Sequence, residues 1–427
     1  MKKSGRGLTV DGHESIEERA DLDDGEVSQS FLSCGDGSDI CKAIMVRYAH
    51  SSAPQHRHLC ASAAAMSSIL LDEGLPLTPP AYFAAAITAF RESDIDSTAA
   101  LSSFIFILLP LVPTESLTPV KAGDAAFVLA AFLKDPPSGT ATGTIRSVVK
   151  CLGFLALRVD LEDWSAVQLP LEILTAFSMD MRPKVRRCAL VCVERIFKTF
   201  QSSAVKKMAS KAVLDVYNNF FVLAKEHNSF EPDVCQNKLV SKSRQMKILH
   251  LLSFLKQIVP YLSRRINAKI LADVYKHLDC HFTFLTRHIL SVLKVLVEHS
   301  KVEVLLQQSQ NIIFSLISYL SVGKKNPVDT VISVSTLLGE FLHKLHDAEP
   351  IIFIENLPQV VESIAGCLKY DVNASKHAAS VLQDLFNCLL DQRVVQIAAS
   401  HSVFPLSMFW KLLHCCFSNS VNHHISS

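Results

Sequence analysis

The sequence predicts an all-α fold, an α-solenoid of HEAT- or armadillo-like helix pairs. A short motif, a basic residue followed by an apolar helical stripe, returns roughly every 40–45 residues, which is the spacing of helix-pair repeats. No segment shows the sustained alternation of apolar and polar residues that a strand requires. Glycine is scarce, with 14 in 427 residues, which suits helices joined by short turns. Since a helix pair cannot bury its apolar face alone, neighbouring pairs must stack into one continuous core.

The elements follow in order along the chain. Residues 1–37 are mainly acidic and cannot bury enough apolar surface to fold, so we expect a disordered tail there. We expect the solenoid at 38–416 and a second disordered tail at 417–427. Caps and Pro-rich turns place the first helices at 39–50, 54–70, 79–90, 97–109, 122–133, 144–157, 168–177 and 183–200. The later helices are expected at 202–224, 243–262, 267–277, 283–299, 302–320, 328–346, 357–370 and 374–390.

The clearest copy of the repeat begins at Pro183 and reads PKVRRCA. In this pattern Asp, Asn or Pro opens the second helix of a pair, and a basic residue follows on the solvent side. Ala or Cys stands where helices approach closely, so Cys188 and Cys192 are expected to be core residues. The next copy, at Arg244, follows Arg186 by about 58 residues, which predicts an elongated repeat or an insertion, with a polar loop at 227–239.

Positive charge is concentrated in one part of the chain. Residues 181–300 hold about 21 Lys and Arg against about 8 Asp and Glu, although the formal net charge of the chain is only +1. If these side chains share a face over successive repeats, they attract phosphate backbones in a salt-dependent way; the alternative is an ordinary solvated face. The candidate binding residues are Arg182, Lys184, Arg186, Arg187, Lys206, Lys207, Lys242, Arg244, Lys247, Arg264, Arg265 and Lys269.

Motifs for enzymatic chemistry are absent from the sequence, so no catalytic residue, cofactor or metal is predicted. There is no phosphate-binding glycine loop, no GxSxG and no HExxH. The segment 94–98 superficially resembles an aspartyl-nucleophile motif, but Asp94 is expected to cap a helix. His56, His58 and Cys60 form an HxHxC cluster without the further ligands that a zinc site needs.

The chain is 49% hydrophobic, which suits either a membrane protein or a large helical core. A membrane-spanning helix needs about 20 apolar residues. The best candidate, 104–112, is about half that length and is broken by prolines, so no span is predicted. The 12 cysteines are scattered along apolar stripes, which favours a reducing compartment.

Two segments carry a more specific resemblance. Residues 47–66 read RYAHSSAPQHRHLCASAAAM, and residues 75–86 read LPLTPPAYFAAA. They are similar to the N-terminal region of the ribosomal RNA-processing protein 12 family, in particular its plant members, and the PKVRRCA copy is similar to that family's repeats. The resemblance covers residues 39–400. Members of the family are much longer, so we interpret this sequence as an N-terminal fragment, a short isoform or a truncated gene model.

The resemblance implies a nuclear and nucleolar factor in ribosome biogenesis. It implies association with pre-ribosomal particles, rRNA and assembly proteins, contact with the nuclear transport machinery, and no membrane. The family offers no catalytic residues to carry over, so a non-enzymatic scaffold is expected. Two hypotheses stay open: a scaffold that binds RNA or assembly factors through its basic surface, and a karyopherin-like adaptor for acidic proteins that binds no RNA.

Overall fold

The computed structural model describes residues 39–226, 236–279, 283–320 and 326–401. Within these ranges the chain consists of α-helices, short 3₁₀ turns and their connections, and it has no strand. The predicted all-α fold is therefore confirmed. Both predicted tails, 1–37 and 417–427, lie outside the described residues, as does the expected end of the solenoid at 402–416.

The helices follow one another with short connections. The first eight are α1 Ile40–Tyr48, α2 Pro54–Asp72, α3 Pro79–Glu92, α4 Ile95–Leu108, α5 Pro119–Lys134, α6 Thr142–Leu155, α7 Trp164–Phe177 and α8 Pro183–Thr199. They are followed by α9 Ser203–Glu226, α10 Gln236–Ile258, α11 Arg264–Val274, α12 Thr283–His299, α13 Val302–Leu320, α14 Val328–Ala348, α15 Pro350–Gly366, α16 Val372–Cys388 and α17 Gln392–His401.

Capping residues begin several helices where the sequence predicts them. The Asp39 carboxylate accepts a hydrogen bond from the backbone N–H of Cys41 at 3.0 Å, ahead of α1. Asp94 likewise accepts from the backbone N–H of Ser97 at 2.8 Å, ahead of α4. Each cap satisfies a backbone donor that has no partner within the helix. Asp94 is therefore a helix cap, as predicted.

Contacts divide the chain into two compact units, Met1–Val205 and Lys206–Ser427. In the first unit α2, α4, α6 and α8 pack successively in one layer, while α3, α5 and α7 follow one another in the other. Each helix of the second layer also contacts the helix after it in sequence, which defines the pairs α3–α4, α5–α6 and α7–α8. Tyr82, Phe104 and Phe197 have fully buried side chains in this core.

The second unit repeats the arrangement. There α10, α12, α14 and α16 pack successively in one layer, and α13, α15 and α17 in the other. Phe254 and Phe341 are fully buried in its core. Helices α12, α14 and α16 start at Thr283, Val328 and Val372, so successive repeats are offset by 45 and 44 residues. This spacing agrees with the period read from the sequence.

The elongated repeat is also found where it was expected. Helices α8 and α10 start at Pro183 and Gln236, 53 residues apart. Much of the extra length is in α9, which has 24 residues against 14 in α7. The predicted loop at 227–239 is wrong at its end, because Gln236 to Leu239 belong to α10. Gln and Lys are polar but good helix formers. The rest of the predicted loop, 227–235, lies outside the described residues.

Two helices that contain an internal proline begin several residues earlier than the sequence pattern predicts. Helix α7 begins at Trp164 and contains Pro170, whereas its predicted start is 168. Helix α15 begins at Pro350 and contains Pro358, whereas its predicted start is 357. An internal proline costs a helix about 3 kcal/mol. A prediction from sequence alone therefore places the start of the helix near the proline. Burial of neighbours such as Phe353, about 2–3 kcal/mol for a large apolar side chain, offsets that cost. The pattern also missed α17.

In the described part of the chain, the segment Pro350–Lys369 is long and apolar enough to cross a membrane by length and composition, and half of it is buried inside the protein. The sequence pattern favours 104–112 as the best candidate for a span, and this prediction is wrong, because the longer segment Pro350–Lys369 meets the criterion. Val360, Val361 and Ile364 of the segment are fully buried against neighbouring helices. That is the position of a core helix in a stack of helix pairs.

Candidate partner-binding surface

Two of the predicted binding residues hold the turn that leads into α8. Arg182 donates from Nε and Nη2 to the two carboxylate oxygens of Asp180, at 2.9 and 2.8 Å. Arg186 donates from Nη1 to the backbone carbonyl of Asp180 at 2.7 Å. Burial opposes ionisation of Asp180, yet the hydrogen bonds from Arg182 hold the pKa of this carboxyl below its ordinary value. Arg182 and Arg186 therefore have partners inside the protein and shape the turn.

Other basic residues of α8 reach solvent. Lys184 and Arg187 are exposed, whereas Val185 and Ala189 between and beyond them are fully buried. No acidic residue stands in the first turn of α8. Positive side chains in a first turn oppose the helix dipole, which favours negative charge there. The start of α8 therefore carries exposed positive charge, and Asp180, just before it, is bonded to Arg182.

The structure adds basic residues from the neighbouring helix α6, which sequence order alone does not bring near α8. Arg146 and Lys150 lie close enough to Cys188 to favour a lower pKa of its thiol. Lys150 and Arg195 have the same effect on the pKa of the Cys192 thiol. Helices α6 and α8 pack together in one layer, so these side chains share a neighbourhood. The only sequence signal for Arg146 and Lys150 is their place one repeat before α8. We call Arg146, Lys150, Lys184, Arg187 and Arg195 the α6–α8 basic cluster.

Beneath this cluster the helices approach closely, as the small residues predicted. A Cβ placed on Gly153 of α6 would lie only 2.2 Å from Sγ of Cys192 on α8. The Cys192 thiol points toward the backbone carbonyl of Val149 at 4.0 Å. A hydrogen bond with Cys192, and after it burial, raises the pKa of the Cys188 thiol. Cys188 is thereby kept as the thiol. Both cysteines pack at the contact between α6 and α8, where they are half-buried and not fully in the core.

In the second unit a single hydrogen bond brings two basic segments together. The backbone N–H of Ser263, the residue before α11, donates to Oγ of Ser210 on α9 at 2.8 Å. Lys207 and Lys211 are exposed on α9 on either side of Ser210 in sequence, four residues apart. Further along the same two helices, the Tyr217 hydroxyl donates to the carboxylate of Asp273 at 3.0 Å. The start of α11 therefore lies beside this part of α9.

Helix α11 contributes three more cations. Arg264, Arg265 and Lys269 are exposed, while Ile266 and Ile270 of the same helix are buried. The first turn of α11 has two arginines, no acidic residue and no side-chain cap. It repeats the arrangement at the start of α8. We call Lys207, Lys211, Arg264, Arg265 and Lys269 the α9–α11 basic cluster.

The remaining predicted residues are not in either cluster. Lys206 is half-buried on α9, and Lys247 is exposed on α10. The side chains of Lys242 and Arg244 lie outside the described residues, although their backbone belongs to α10. Whether any of the twelve residues contacts a partner stays a prediction.

Positive charge beyond α11 is largely paired within the protein. Arg287 of α12 bonds to Asp329 of α14 at 2.5 Å, and Lys294 bonds to Glu340 at 2.6 Å. Each pair joins one repeat to the next. The last part of the basic region at 181–300 is therefore balanced by acidic residues of the next repeat. The region with excess positive charge is narrower than the charge count of the sequence suggests.

Helix pairs stacked in two layers at intervals of about 45 residues define an α-solenoid of the HEAT-repeat class. The chain belongs to the RRP12-like family: residues 26–304 match the model described as "RRP12-like, N-terminal HEAT repeats". The family expected from residues 47–66 and 75–86 is thus confirmed. Solenoids of this class are typically non-enzymatic scaffolds.

Relatives with curated names share this part of the sequence. The chain is 29% identical over 167 residues to the RRP12-like protein of Gallus gallus, an alignment covering 38% of this chain and 13% of that protein. It is 28% identical over 180 residues to the RRP12-like protein of Homo sapiens, covering 41% and 14% respectively. The chain therefore matches about one seventh of the length of these relatives. A crystal structure of an engineered protein covers 90% of this chain at 14% identity with a TM-score of 0.33.

Proposed function

We propose that this chain is a non-enzymatic scaffold that binds RNA of pre-ribosomal particles through its two basic clusters. The observation that carries the proposal is the Ser263–Ser210 hydrogen bond, because it sets Arg264 and Arg265 beside Lys207 and Lys211. Four neighbouring cations on one unit form a site whose affinity for a phosphate backbone comes from counterion release.

The starts of α8 and α11 support an anionic partner. Two basic residues in a first turn each forgo about 0.3–1 kcal/mol relative to a favourable charge at that position. A phosphate at the same place would gain both from these side chains and from the free backbone N–H groups of the helix end. Lys184 is the second residue of α8, after Pro183, and Arg264 is the first residue of α11.

We propose contact with the RNA backbone rather than with bases. Base reading from single strands uses aromatic side chains as stacking platforms. The large exposed aromatic side chains among the described residues, Phe127, Phe314 and Tyr370, belong to α5, to α13 and to the turn after α15, and none of them lies on a helix that carries a cluster. Backbone contact fixes position without reading sequence.

The cellular setting of the proposal rests on the family. An RRP12-like chain is proposed to act in ribosome biogenesis, in the nucleus and nucleolus, on rRNA and assembly proteins during maturation and export. Contact with the nuclear transport machinery belongs to the same proposal.

The test is RNA binding as a function of salt. We expect the logarithm of the association constant to fall linearly with the logarithm of salt concentration, with a slope of about 0.7 for each phosphate contact to single-stranded RNA. The variant that neutralises the cluster changes Lys207, Lys211, Arg264 and Arg265 to Gln. It should lower the slope by about 3 if all four residues contact phosphates. Arg182 and Arg186 are left unchanged, since they hold the turn before α8.

A matched control removes the same charge elsewhere. It changes to Gln the exposed residues Lys42, Arg57, Lys121 and Lys134. The proposal requires a smaller slope change in this control than in the cluster variant. Equal slopes for wild type and cluster variant would refute it. Partners that survive RNase treatment in a pull-down, with no measurable RNA binding, would instead favour the karyopherin-like adaptor.

A further inference from the structure

Three side chains that commonly bind transition metals converge between two successive repeats. His343 and His346 lie on α14, and Cys388 is the last residue of α16. Nδ1 of His343 is 3.1 Å from Sγ of Cys388. One ring nitrogen of each histidine and the cysteine sulfur all lie within 4.8 Å of one another. The two imidazole rings are nearly parallel, with centroids 5.9 Å apart.

Close packing of α14 on α16 brings these groups together. A Cβ on Gly339 would lie 2.6 Å from Cγ1 of Val381, so the two helices approach closely at this point. His343 follows Gly339 by one helical turn, and the i, i+3 spacing to His346 places both rings on one side of α14. The ligand set is therefore fixed by the rigid elements of two repeats and does not depend on a loop.

His346 provides a second observation. The side chain is buried, with 8% of its surface exposed, and Nδ1 is 3.0 Å from the Asp347 carboxylate. Its Nε2 is buried and makes no hydrogen bond, and Oδ2 of Asp391 lies 3.4 Å from it. Histidines that bind metals almost always donate their other ring N–H to a carboxylate or carbonyl, which fixes the tautomer. A buried ring nitrogen that makes no hydrogen bond is unusual, because buried polar atoms are normally satisfied.

We propose that His343, His346 and Cys388 bind one Zn²⁺ ion. Imidazole nitrogen and thiolate are the protein ligands that zinc favours, and a tetrahedral site places such ligands roughly 3.5 Å apart. Side-chain movement of about 1 Å closes the widest present separation to that value. On binding, the Cys388 thiol loses its proton to solvent, and a sulfur–zinc bond forms.

Water would be the fourth ligand of the ion, as in other zinc sites with three protein ligands. Asp391 lies nearby, with Oδ2 3.4 Å from Nε2 of His346, but its carboxylate accepts hydrogen bonds from the backbone N–H of Arg393 at 2.8 Å and from Nη2 of Arg393 at 2.7 Å. The Cys388 thiolate would supply one negative charge, while the histidines stay neutral. His343 is exposed and borders an open groove of about 790 Å³, which provides a path for the ion. The bound ion would tie α14 to the end of α16 and so join two successive repeats.

The sequence signal for this site is divided between two repeats. H-K-L-H occupies 343–346, and Cys388 follows one repeat later. Neither segment alone has the ligands that a metal site needs, so the sequence predicts no metal. The period of about 45 residues brings the two segments together.

The test uses the full chain, freed of metal with a chelator and then dialysed against Zn²⁺ or Co²⁺. Wild type should bind one more Zn²⁺ ion per chain than Cys388→Ser, as measured by elemental analysis. Co²⁺ should give a thiolate-to-metal charge-transfer band in wild type that is absent from Cys388→Ser. His343→Gln, at an exposed position, should weaken Zn²⁺ binding by more than about tenfold without unfolding the chain. Asp347→Asn should weaken it by about tenfold through the tautomer of His346.

Matched controls are Cys367→Ser, a buried cysteine of the same unit, and His299→Gln, an exposed histidine of the same unit. Both should keep the wild-type stoichiometry and the cobalt band. Zn²⁺ should also raise the urea midpoint of wild type and leave that of Cys388→Ser unchanged, because a ligand that binds only the folded state stabilises it. The proposal is overturned if Cys388→Ser and His343→Gln bind as many ions as wild type with the same affinity. It is also overturned if no cobalt–thiolate band forms in wild type.

Discussion

Replacing Gly153 by Ala tests how tightly α6 packs on α8 beneath the α6–α8 basic cluster. The new Cβ would lie 2.2 Å from Sγ and 2.7 Å from Cβ of Cys192. Carbon atoms in contact are normally about 3.5–4.0 Å apart. Rotating the Cys192 side chain moves Sγ away but leaves its Cβ in place, so the helices themselves must shift by about 1 Å.

The size of the effect follows from two opposing contributions. Overpacking of a well-packed core costs about 1–3 kcal/mol, and a clash that a side-chain rotation cannot relieve belongs at the upper end. Replacing Gly by Ala inside a helix contributes about 1 kcal/mol in the other direction. We therefore expect Gly153→Ala to lower the free energy of unfolding by about 2 kcal/mol.

The assay is urea unfolding followed by far-ultraviolet circular dichroism. Gly123→Ala in α5 is the matched control, because a Cβ there meets nothing within 4 Å. It should raise the free energy of unfolding by up to about 1 kcal/mol. Adding Cys192→Gly to Gly153→Ala removes both clashing atoms, and the double-mutant cycle should show a coupling of about 2 kcal/mol. If Gly153→Ala is as stable as Gly123→Ala, the close approach is wrong.

Two further predictions concern the basic residues. Asp180→Asn should destabilise the chain by about 1 kcal/mol at neutral pH, a small value because Arg182 is partly exposed. Since the pKa of Asp180 lies below its ordinary value in the folded state, this contribution is present above the ordinary Asp pKa of about 3.9 and is lost as pH falls below it, through the lowered pKa of the folded state. The difference in urea midpoint between wild type and variant should therefore shrink on acidification, and a difference independent of pH would contradict the role given to the carboxylate. Arg264→Glu with Arg265→Glu should raise stability by about 0.5–1 kcal/mol through the helix dipole while weakening RNA binding. A loss of both stability and binding would mean that the two arginines support the fold instead.

Most of the fold could be predicted from sequence, because helix caps and apolar stripes are local signals. Asp94 was expected to cap α4 and does so. The errors arise where tertiary packing outweighs local preference. Pro170 and Pro358 lie inside helices because burial of their neighbours offsets the lost hydrogen bonds. Whether these prolines lie inside a helix depends on packing in the core, and the sequence of a single segment does not contain that information.

The candidate surface was less predictable, since it depends on which residues the stacking brings together. The net charge of the sequence indicates where the basic region lies, but it does not show which basic side chains are bonded within the protein. Arg182 and Arg186 look identical in sequence to their exposed neighbours, yet both bond to Asp180. Lys150 lies in a segment of little net charge and joins the cluster only because α6 packs on α8. The metal ligands proposed on α14 and α16 are separated by a full repeat for the same reason.

In the second unit, the basic residues of α12 pair with acidic residues of the next repeat, whereas those of α9 and α11 that the structure describes do not. The excess of positive charge is therefore local. Arg287 and Lys294 of α12 each bond to a carboxylate of α14, at Asp329 and Glu340, about one repeat later. These pairs are exposed and contribute at most about 1 kcal/mol each, so fold stability does not require them. Among the described side chains, no ion pair joins a member of the α9–α11 basic cluster to an acidic residue. Five exposed cations near one another repel, and a folded chain that keeps them forgoes stability that Glu or Gln at Arg264 would supply. An anionic partner at this surface removes that repulsion, whereas the repeats beyond α11, whose cations are already paired, would gain less from such a partner.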